Sequence, residues 1–270
     1  MKLSFSTLGC HDYTLDQIIE TGTKCGFDGV ELRHVEKNVK LWELPDFAGS
    51  APLEKTKRRF TDAGLTVCMV GASGSFAAPG LEHRKEQTDL FRRWAEVAQG
   101  LGCPYIRVFG GPVPEGQSME ETLKWDAEGY NEAFPLIAKY GVTMLFETHD
   151  SFSTSKGLIP LLEKLEGNFG VVWDILHPIR FGESVEDTFK GLGPWVKHMH
   201  MKDSKVFTET DFDFKFPGEG ILPIKKIMEI LKASSYQGYY SFEWERGWHP
   251  EIPSCETAFP HYVEYMKQFS

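Results

Sequence analysis

The segment 143–174 decides the fold. It begins with Thr143-Met144-Leu145-Phe146-Glu147, passes through a stretch with helical spacing at 157–165, and ends with Gly170-Val171-Val172-Trp173-Asp174. Both ends are short apolar runs, which are typical of buried strands. Two strands joined by a helix pair in parallel, because the helix carries the chain back to the edge where the first strand began. The segment therefore predicts one strand–helix–strand unit.

The same alternation extends over the whole chain. Strands are predicted at 3–6, 29–33, 65–70, 105–109, 143–147, 170–174, 196–201 and 239–243. Helices are predicted at 15–25, 53–63, 82–101, 119–140, 157–165, 184–189, 223–233 and 257–269. Eight strand–helix units without a linker predict an α/β protein with a single (β/α)8 TIM barrel over residues 1–270. An open, doubly wound sheet is the alternative.

Charge and composition narrow the class of protein. The 270 residues include 29 Lys and Arg against 39 Asp and Glu, which gives a formal charge of −10. This acidic balance argues against nucleic acid or an anionic membrane as a partner. No apolar run approaches the ~20 residues of a membrane span, and residues 1–6 do not resemble a signal peptide. Five cysteines without a C-x-x-C pair indicate reduced thiols, so we expect a cytoplasmic protein.

Acidic and imidazole side chains stand at the carboxyl ends of the last four predicted strands. They are Glu147, Asp174, His198, His200, Glu243 and Glu245. In a TIM barrel these strand ends form the active site. Since side chains alternate with period two, His198 shares a face with His200, and Glu243 with Glu245. The spacing alone therefore does not choose between Glu243 and Glu245.

Such a group of side chains predicts a cation site. Buried carboxylates are costly unless they are paired or coordinate a metal. Three carboxylates and one imidazole suit Mn²⁺, Mg²⁺ or Co²⁺, and they are also compatible with Zn²⁺. The competing interpretation is that each residue is a solvated rim acid or a hydrogen-bonded core histidine. Arg107 and Lys202 lie near the same end and would bind the substrate or neutralise the acids.

The chain resembles the xylose isomerase-like TIM-barrel superfamily, in its branch of sugar-phosphate isomerases/epimerases and ketose 3-epimerases. The matching stretches follow the order of the family through nearly the whole chain. They are 26–32, 146–149, 174–177, 198–203, 218–220 and 238–243. As a set they are specific for the superfamily, although they do not identify the substrate.

The resemblance implies a ligand set for one divalent metal. Glu147, Asp174, His200 and Glu243 match the four ligands, and Mn²⁺ is the preferred ion. The resemblance also selects Glu243 rather than Glu245. In the epimerases the two glutamates move the protons, so Glu147 and Glu243 are the implied catalytic residues.

Four further residues match positions that contact substrate. His177 and Lys202 do so in the epimerase branch. His149 and Arg107 have counterparts in a related branch, the metal-dependent 3-dehydroshikimate dehydratases. The resemblance therefore implies substrate binding by these side chains and leaves two reaction types open.

The implied reaction is the isomerisation or epimerisation of a ketose or keto-sugar. The metal polarises the carbonyl and stabilises an enediolate, one glutamate removes the proton of the neighbouring carbon, and the other returns a proton from the opposite face. The alternatives are a metal-dependent dehydratase of a keto-cyclitol or 3-dehydroshikimate-like substrate and a non-catalytic sugar-binding barrel. A three-zinc DNA-repair endonuclease is disfavoured, because the third and fourth strands lack histidines at their ends.

The expected partners are a small sugar or polyol-derived substrate and further copies of the chain in a homodimer or homotetramer. The long segment 204–219 carries Phe207, Phe212, Phe214 and Phe216. Long aromatic loops after barrel strands often close over a substrate, so we expect a lid there. The alternative is that these rings cap the barrel or pack at a subunit interface.

Overall fold

The structure is a computed structural model that describes residues 1–208 and 212–270, with residue 212 described by its backbone alone. Eight parallel strands close a barrel. They are β1 (Lys2–Ser6), β2 (Gly29–Leu32), β3 (Thr66–Gly71), β4 (Tyr105–Val108), β5 (Thr143–Glu147), β6 (Phe169–Asp174), β7 (Val196–Met201) and β10 (Tyr239–Phe242). Strand β10 pairs with both β7 and β1, which closes the ring. The TIM-barrel prediction is confirmed, and the open sheet is wrong.

Helices cover the outside of the barrel. They are α1 (Leu15–Cys25), α2 (Ser50–Asp62), α3 (Leu81–Leu101), α4 (Met119–Ala138), α5 (Ser155–Leu162), α6 (Leu176–Arg180), α7 (Val185–Leu192), α8 (Ile224–Ala233) and α9 (Cys255–Met266). Short 3-10 turns lie at Thr7–Cys10, Leu41–Glu43, Asp150–Phe152, Gly193–Trp195 and Lys267–Phe269. None of the described helices is both long and apolar enough to cross a membrane.

The helix boundaries follow local chemistry. Thr14 and Gln17 form a capping box that begins α1, and Gly26 ends it with a φ of 82°, which a residue without Cβ adopts at little cost. Helix α6 was not predicted, because five residues are too few to show helical periodicity. It directly follows β6 and places His177 beside the carboxyl end of that strand.

The segment 204–219 is not simply a loop. Strands β8 (Asp203–Phe207) and β9 (Phe212–Lys215) form an antiparallel hairpin, while residues 209–211 of the predicted lid lie outside the described residues. The Asp203 carboxylate anchors the hairpin, because it accepts hydrogen bonds from four backbone N–H groups, those of Ser204, Gly218, Gly220 and Leu222. The sequence did not predict this hairpin, because its strands are short and the side chain of Asp203 holds it in place. A lid function stays a prediction.

The barrel interior changes from apolar to polar along its axis. Met69, Leu145 and Val172 form a buried apolar group inside the barrel. Two residues further along β5 and β6, on the same inward face, the chain places Glu147 and Asp174. The carboxyl ends of the barrel strands therefore form a polar opening, which we call the barrel mouth.

One buried acid lies away from the mouth and gives the fold a pH-dependent stability. Asp126 of α4 is fully buried, and its Oδ1 accepts a hydrogen bond of 2.9 Å from the backbone N–H of Phe76. Burial raises the pKa of Asp126 well above its model-compound value of 3.8. The folded protein therefore holds this proton at a pH where the unfolded chain releases it, and this contribution to stability is lost as the pH rises towards the folded-state pKa.

Asp126→Asn is expected to remove this dependence. The amide keeps the acceptor for Phe76 but does not ionise. The free energy of unfolding of the variant minus that of the wild type should therefore rise with pH above 3.8, by at most about 1.4 kcal/mol per pH unit. Urea unfolding at pH 5, 6 and 7 measures the difference, with the exposed Asp62→Asn as control. A difference that does not vary with pH would contradict the assignment.

Candidate active site

Four predicted ligands converge at the barrel mouth. Glu147, Asp174 and His200 come from the ends of β5, β6 and β7, and Glu243 directly follows β10. One oxygen or nitrogen atom from each lies within 4.8 Å of the corresponding atoms of the others, and all four residues are buried. We call these residues the four-ligand cluster. Adjacent strand ends hold the side chains in register, so the geometry does not depend on a flexible loop.

His200 lies at the centre of the cluster. Its Nδ1 is 2.9 Å from Glu147 Oε1, 3.2 Å from Glu243 Oε2 and 4.0 Å from Asp174 Oδ2. Burial alone lowers the pKa of His200, but the surrounding carboxylates outweigh this effect and raise the pKa well above its usual value. By these distances Nδ1 is the nitrogen that faces the other three residues of the cluster.

Lys202 neutralises much of the cluster's negative charge. Its Nζ is fully buried and lies 2.7 Å from Asp174 Oδ2 and 2.6 Å from both Glu243 Oε2 and Glu245 Oε1. Burial lowers the pKa of Lys202, but these carboxylates outweigh it and raise the pKa well above the usual value. The ammonium is therefore charged and bridges two cluster carboxylates and Glu245.

Arg107 supports the cluster from β4. Its Nη1 donates a 2.7 Å hydrogen bond to Glu147 Oε2, while Nε and Nη2 donate to the backbone oxygen of Ala72. Its guanidinium carbon also lies 4.2 Å from the ring centroid of Phe109. Arg107 thus fixes the orientation of the Glu147 carboxylate.

The donor set fits a divalent cation. Three carboxylates and one imidazole nitrogen meet in a space shielded from water, where negative charges need a cation. Oxygen-rich sets of this kind bind Mn²⁺, Mg²⁺ and related ions, and the imidazole also suits Zn²⁺. A second group of possible ligands, Glu31, His198 and His200, shares one histidine with the cluster.

His149 and His177 lie on the rim beside the cluster. Their ring centroids are 4.5 Å apart, and His177 Nε2 is 3.8 Å from Asp174 Oδ2. Both line a cavity of about 440 Å³. Its walls are Pro112, His149, Asp150, Ser151, Ser153, His177, Arg180, Phe181 and Glu245. The structure thus brings these predicted substrate residues next to the cluster, and their contact with substrate stays a prediction.

Glu31 belongs to the same network but was not assigned a role from the sequence. This buried carboxylate lies on β2, and its Oε2 is 2.9 Å from His200 Nε2, 3.3 Å from His198 Nε2 and 3.1 Å from Ser241 Oγ. Burial raises the pKa of Glu31, but the two imidazoles outweigh it and lower the pKa below its usual range. The available signal was a single acid inside the otherwise apolar strand 29–32.

Glu31→Gln is expected to weaken metal binding by about 10- to 100-fold. A carboxylate on the outer nitrogen of a ligating histidine fixes the ring orientation and increases its basicity. Glu31 holds Nε2 of His200, so Nδ1 is left for the metal. Calorimetric titration with Mn²⁺ in the absence of substrate measures the affinity, with the exposed Glu229→Gln as a control of equal charge change. Unchanged affinity would show that Glu31 only fills the core.

Comparisons with known proteins place this chain in a family. Residues 19–268 match the family model of the xylose isomerase-like TIM barrel. L-ribulose-5-phosphate 3-epimerase of Escherichia coli is 26% identical over 259 residues, which cover 89% of this chain and 85% of that enzyme. Inosose dehydratase of Clostridium perfringens is 26% identical over 267 residues, which cover 86% of this chain and 83% of that enzyme.

The fold similarity extends to solved structures. A crystal structure of the IOLI protein with a zinc atom aligns with a TM-score of 0.84 and 19% identity, covering 100% of this chain and 98% of that one. A match to the family model over nearly the whole chain agrees with the resemblance seen in the sequence. The chain therefore belongs to the xylose isomerase-like TIM-barrel family.

Proposed function

We propose that the protein is a divalent-metal-dependent sugar isomerase or epimerase that acts on a ketose or keto-sugar. The observation that carries the proposal is the convergence of two buried glutamates on one point. Glu147 and Glu243 come from strand ends separated by β6 and β7, yet both lie within 3.2 Å of His200 Nδ1. A substrate carbon held beside this point would have a carboxylate on each of two sides.

The protein environment keeps both carboxylates able to accept protons. Burial raises the pKa of Glu147, but His200 and Arg107 outweigh it and lower the pKa below its usual range. Burial likewise raises the pKa of Glu243, while His200 and Lys202 outweigh it and lower the pKa. One glutamate takes the proton as the carbon–hydrogen bond breaks. The other takes up a proton from solvent water and passes it to the opposite face of the carbon, and it becomes ionised again.

The four-ligand cluster would hold the metal, which when bound supplies Lewis-acid polarisation of the substrate carbonyl. The oxygen-rich donor set supports Mn²⁺, and the zinc in the IOLI structure supports Zn²⁺ as the alternative. Rim residues His149 and His177 would orient the substrate hydroxyls, since they line the adjacent cavity. We further propose a cytoplasmic enzyme that assembles as a homodimer or homotetramer.

A dehydratase is the second candidate. The same first proton abstraction leads to elimination if a β-hydroxyl leaves with a proton and is released as water. His149 favours this alternative, because its ring lies beside His177 at the rim, where an imidazole could supply that proton. The similarity to an inosose dehydratase supports it as well.

Incubation with Mn²⁺ in D₂O tests the proposal. The panel contains D-fructose, D-tagatose, D-ribulose 5-phosphate, inosose and 3-dehydroshikimate, followed by NMR and by ultraviolet absorbance. Solvent deuterium at an epimerised carbon, or at the neighbouring carbon of an isomerised product, supports the proposed function. A dehydration product without such an exchange product favours the dehydratase. That product is an enone from a ketose or inosose and an aromatic catechol from 3-dehydroshikimate. Binding without any deuterium exchange or turnover favours a sugar-binding barrel and would overturn the enzyme assignment.

A further inference from the structure

Arg33 stands at the barrel mouth and has no role in the network described above. It directly follows β2 and is 8% exposed. Its Nη1 donates hydrogen bonds to the backbone oxygen of Gly71, at 3.0 Å, and to Ser73 Oγ. A Cβ on Gly71 would lie 2.8 Å from Arg33 Cδ, so the glycine makes room for the side chain to pass over the end of β3. The Arg33 guanidinium therefore lies over the carboxyl end of β3, at the barrel mouth.

Arg33 differs from Arg107 and Lys202 in its charge partners. Arg107 lies 2.7 Å from a carboxylate oxygen of Glu147, and Lys202 contacts three carboxylates. Within residues 1–208 and 212–270, Arg33 forms no ion pair, and its buried Nε has no hydrogen-bond partner. A buried guanidinium without a carboxylate is unfavourable unless another anion completes it.

The charges around Arg33 are consistent with its lack of a carboxylate partner. Burial lowers the pKa of Arg33, and the nearby positive charge of Arg107 lowers it further, against weaker opposing effects of the mouth carboxylates. His34, the next residue, also has a buried Nδ1 without a partner among the described residues. Two buried nitrogen atoms without hydrogen-bond partners thus lie side by side at the carboxyl end of β2.

The position of Arg33 relative to the four-ligand cluster indicates that a substrate could supply its anionic partner. The four-ligand cluster occupies the ends of β5, β6, β7 and β10, whereas Arg33 reaches the mouth from β2 and lies over β3. The mouth therefore has a carboxylate-rich side and a side with an unpaired cation. Arg33 follows Glu31 by two residues, and the Glu31 carboxylate lies 2.9 Å from His200 of the cluster. Because strand side chains alternate, Arg33 is directed to the same inner side one step closer to the opening, within reach of the far end of a substrate whose carbonyl lies at the cluster.

We propose that Arg33 binds an anionic group of the substrate, a carboxylate or a phosphate, at the end remote from the reacting carbon. This inference rests on the proposed function for the location of the carbonyl. A guanidinium recognises both anions through paired N–H donors, so the two sources share one chemistry.

Binding to the Mn²⁺-loaded protein tests the proposal without requiring turnover. Calorimetry compares D-fructose 6-phosphate with D-fructose for the phosphate arm, and 3-dehydroshikimate with inosose for the carboxylate arm. In the wild type, the anionic member of at least one pair is expected to bind about 10- to 100-fold more tightly than the neutral member. The ligand pair that shows this preference identifies the anion as a phosphate or a carboxylate.

Variants of Arg33 test whether this side chain causes the preference for anionic over neutral ligands. Arg33→Met should reduce the anionic-to-neutral affinity ratio to about 1–3, while Arg33→Lys, which keeps the charge but not the paired donors, should give an intermediate ratio. The exposed Arg58→Met serves as the control and should leave the ratio unchanged. The neutral ligands are expected to bind Arg33→Met and the wild type equally well.

The outcomes separate this inference from the proposed function. A wild-type protein without anion preference in either pair overturns it, even if Arg33→Met fails to fold. A preference that survives in Arg33→Lys and Arg33→Met also overturns it. Anion preference without deuterium exchange would support the Arg33 assignment while the proposed reaction fails, and exchange without anion preference would do the reverse.

Discussion

Replacing Glu147 with Gln is expected to lower kcat by about 10²- to 10⁴-fold, the usual contribution of a positioned proton-transfer group. The amide has nearly the same shape but cannot accept the substrate proton. Arg107 and His200, which hold this carboxylate at 2.7 and 2.9 Å, remain in place. Initial rates with the substrate identified in the D₂O experiment, at saturating Mn²⁺, measure the loss.

Glu243→Gln provides the partner experiment. If each glutamate serves one face of the carbon, both variants lose net conversion, but one of them retains exchange of the substrate proton with solvent. Comparing deuterium wash-in at the reacting carbon with product formation therefore assigns the two glutamates to the two faces. Mn²⁺ titration of both variants separates loss of the metal from loss of the proton acceptor.

The surface variant Glu229→Gln changes the charge equally and should keep the wild-type rate, since its side chain is exposed on α8. Turnover that persists in both Glu147→Gln and Glu243→Gln would remove the two glutamates from the reaction. The proposed epimerase chemistry would then be wrong, whatever the affinity of the cluster for Mn²⁺.

The location of the candidate ligands was predictable, because the alternation of side chains along a strand can be read from a few neighbouring residues. Glu147 and Asp174 end apolar strands. A barrel brings the carboxyl ends of all its strands together, so no further information about the chain is needed to expect these side chains near one another. The choice of Glu243 over Glu245 needed the family resemblance. In the structure Glu243 lies within 3.2 Å of His200, whereas the Glu245 carboxylate contacts Lys202.

The charge pairing was not predictable, because it depends on tertiary contacts between distant strands. Glu31 meets His200 across 169 positions of sequence, and nothing near residue 31 indicates such a partner. Arg33 resembles an ordinary polar residue after a strand until Gly71 is seen beneath its side chain. The hairpin β8–β9 was missed for a similar reason, since Asp203 organises it through backbone groups 15 to 19 residues away.

Lys202→Met is expected to lower the free energy of unfolding by about 3–5 kcal/mol in the presence of EDTA. The substitution leaves the carboxylates of Asp174, Glu243 and Glu245 buried without their ammonium partner, and an uncompensated buried charge is strongly destabilising. Urea unfolding measures the change. Lys197→Met on the preceding strand β7, where the side chain is exposed, is the control and should have little effect.

Added Mn²⁺ should restore much of this loss. Lys202 Nζ occupies positions within 2.7 Å of Asp174 Oδ2 and Glu243 Oε2, two oxygens of the four-ligand cluster. An ammonium there competes with a metal for the same oxygens, so its removal should leave Mn²⁺ affinity unchanged or increased. A ligand that binds only the folded state stabilises it by RT ln(1 + [L]/Kd), which makes the recovery increase with Mn²⁺ concentration.

The loss of stability and the retained or increased Mn²⁺ affinity together distinguish the possible roles of Lys202. If the side chain served only to contact substrate, Lys202→Met would change KM while stability and Mn²⁺ affinity stayed at wild-type values. If it served to assemble the metal ligands, affinity would fall together with stability. Loss of stability in EDTA with Mn²⁺ affinity retained is expected only if Lys202 is the internal counterion of the cluster and yields its oxygens to the metal.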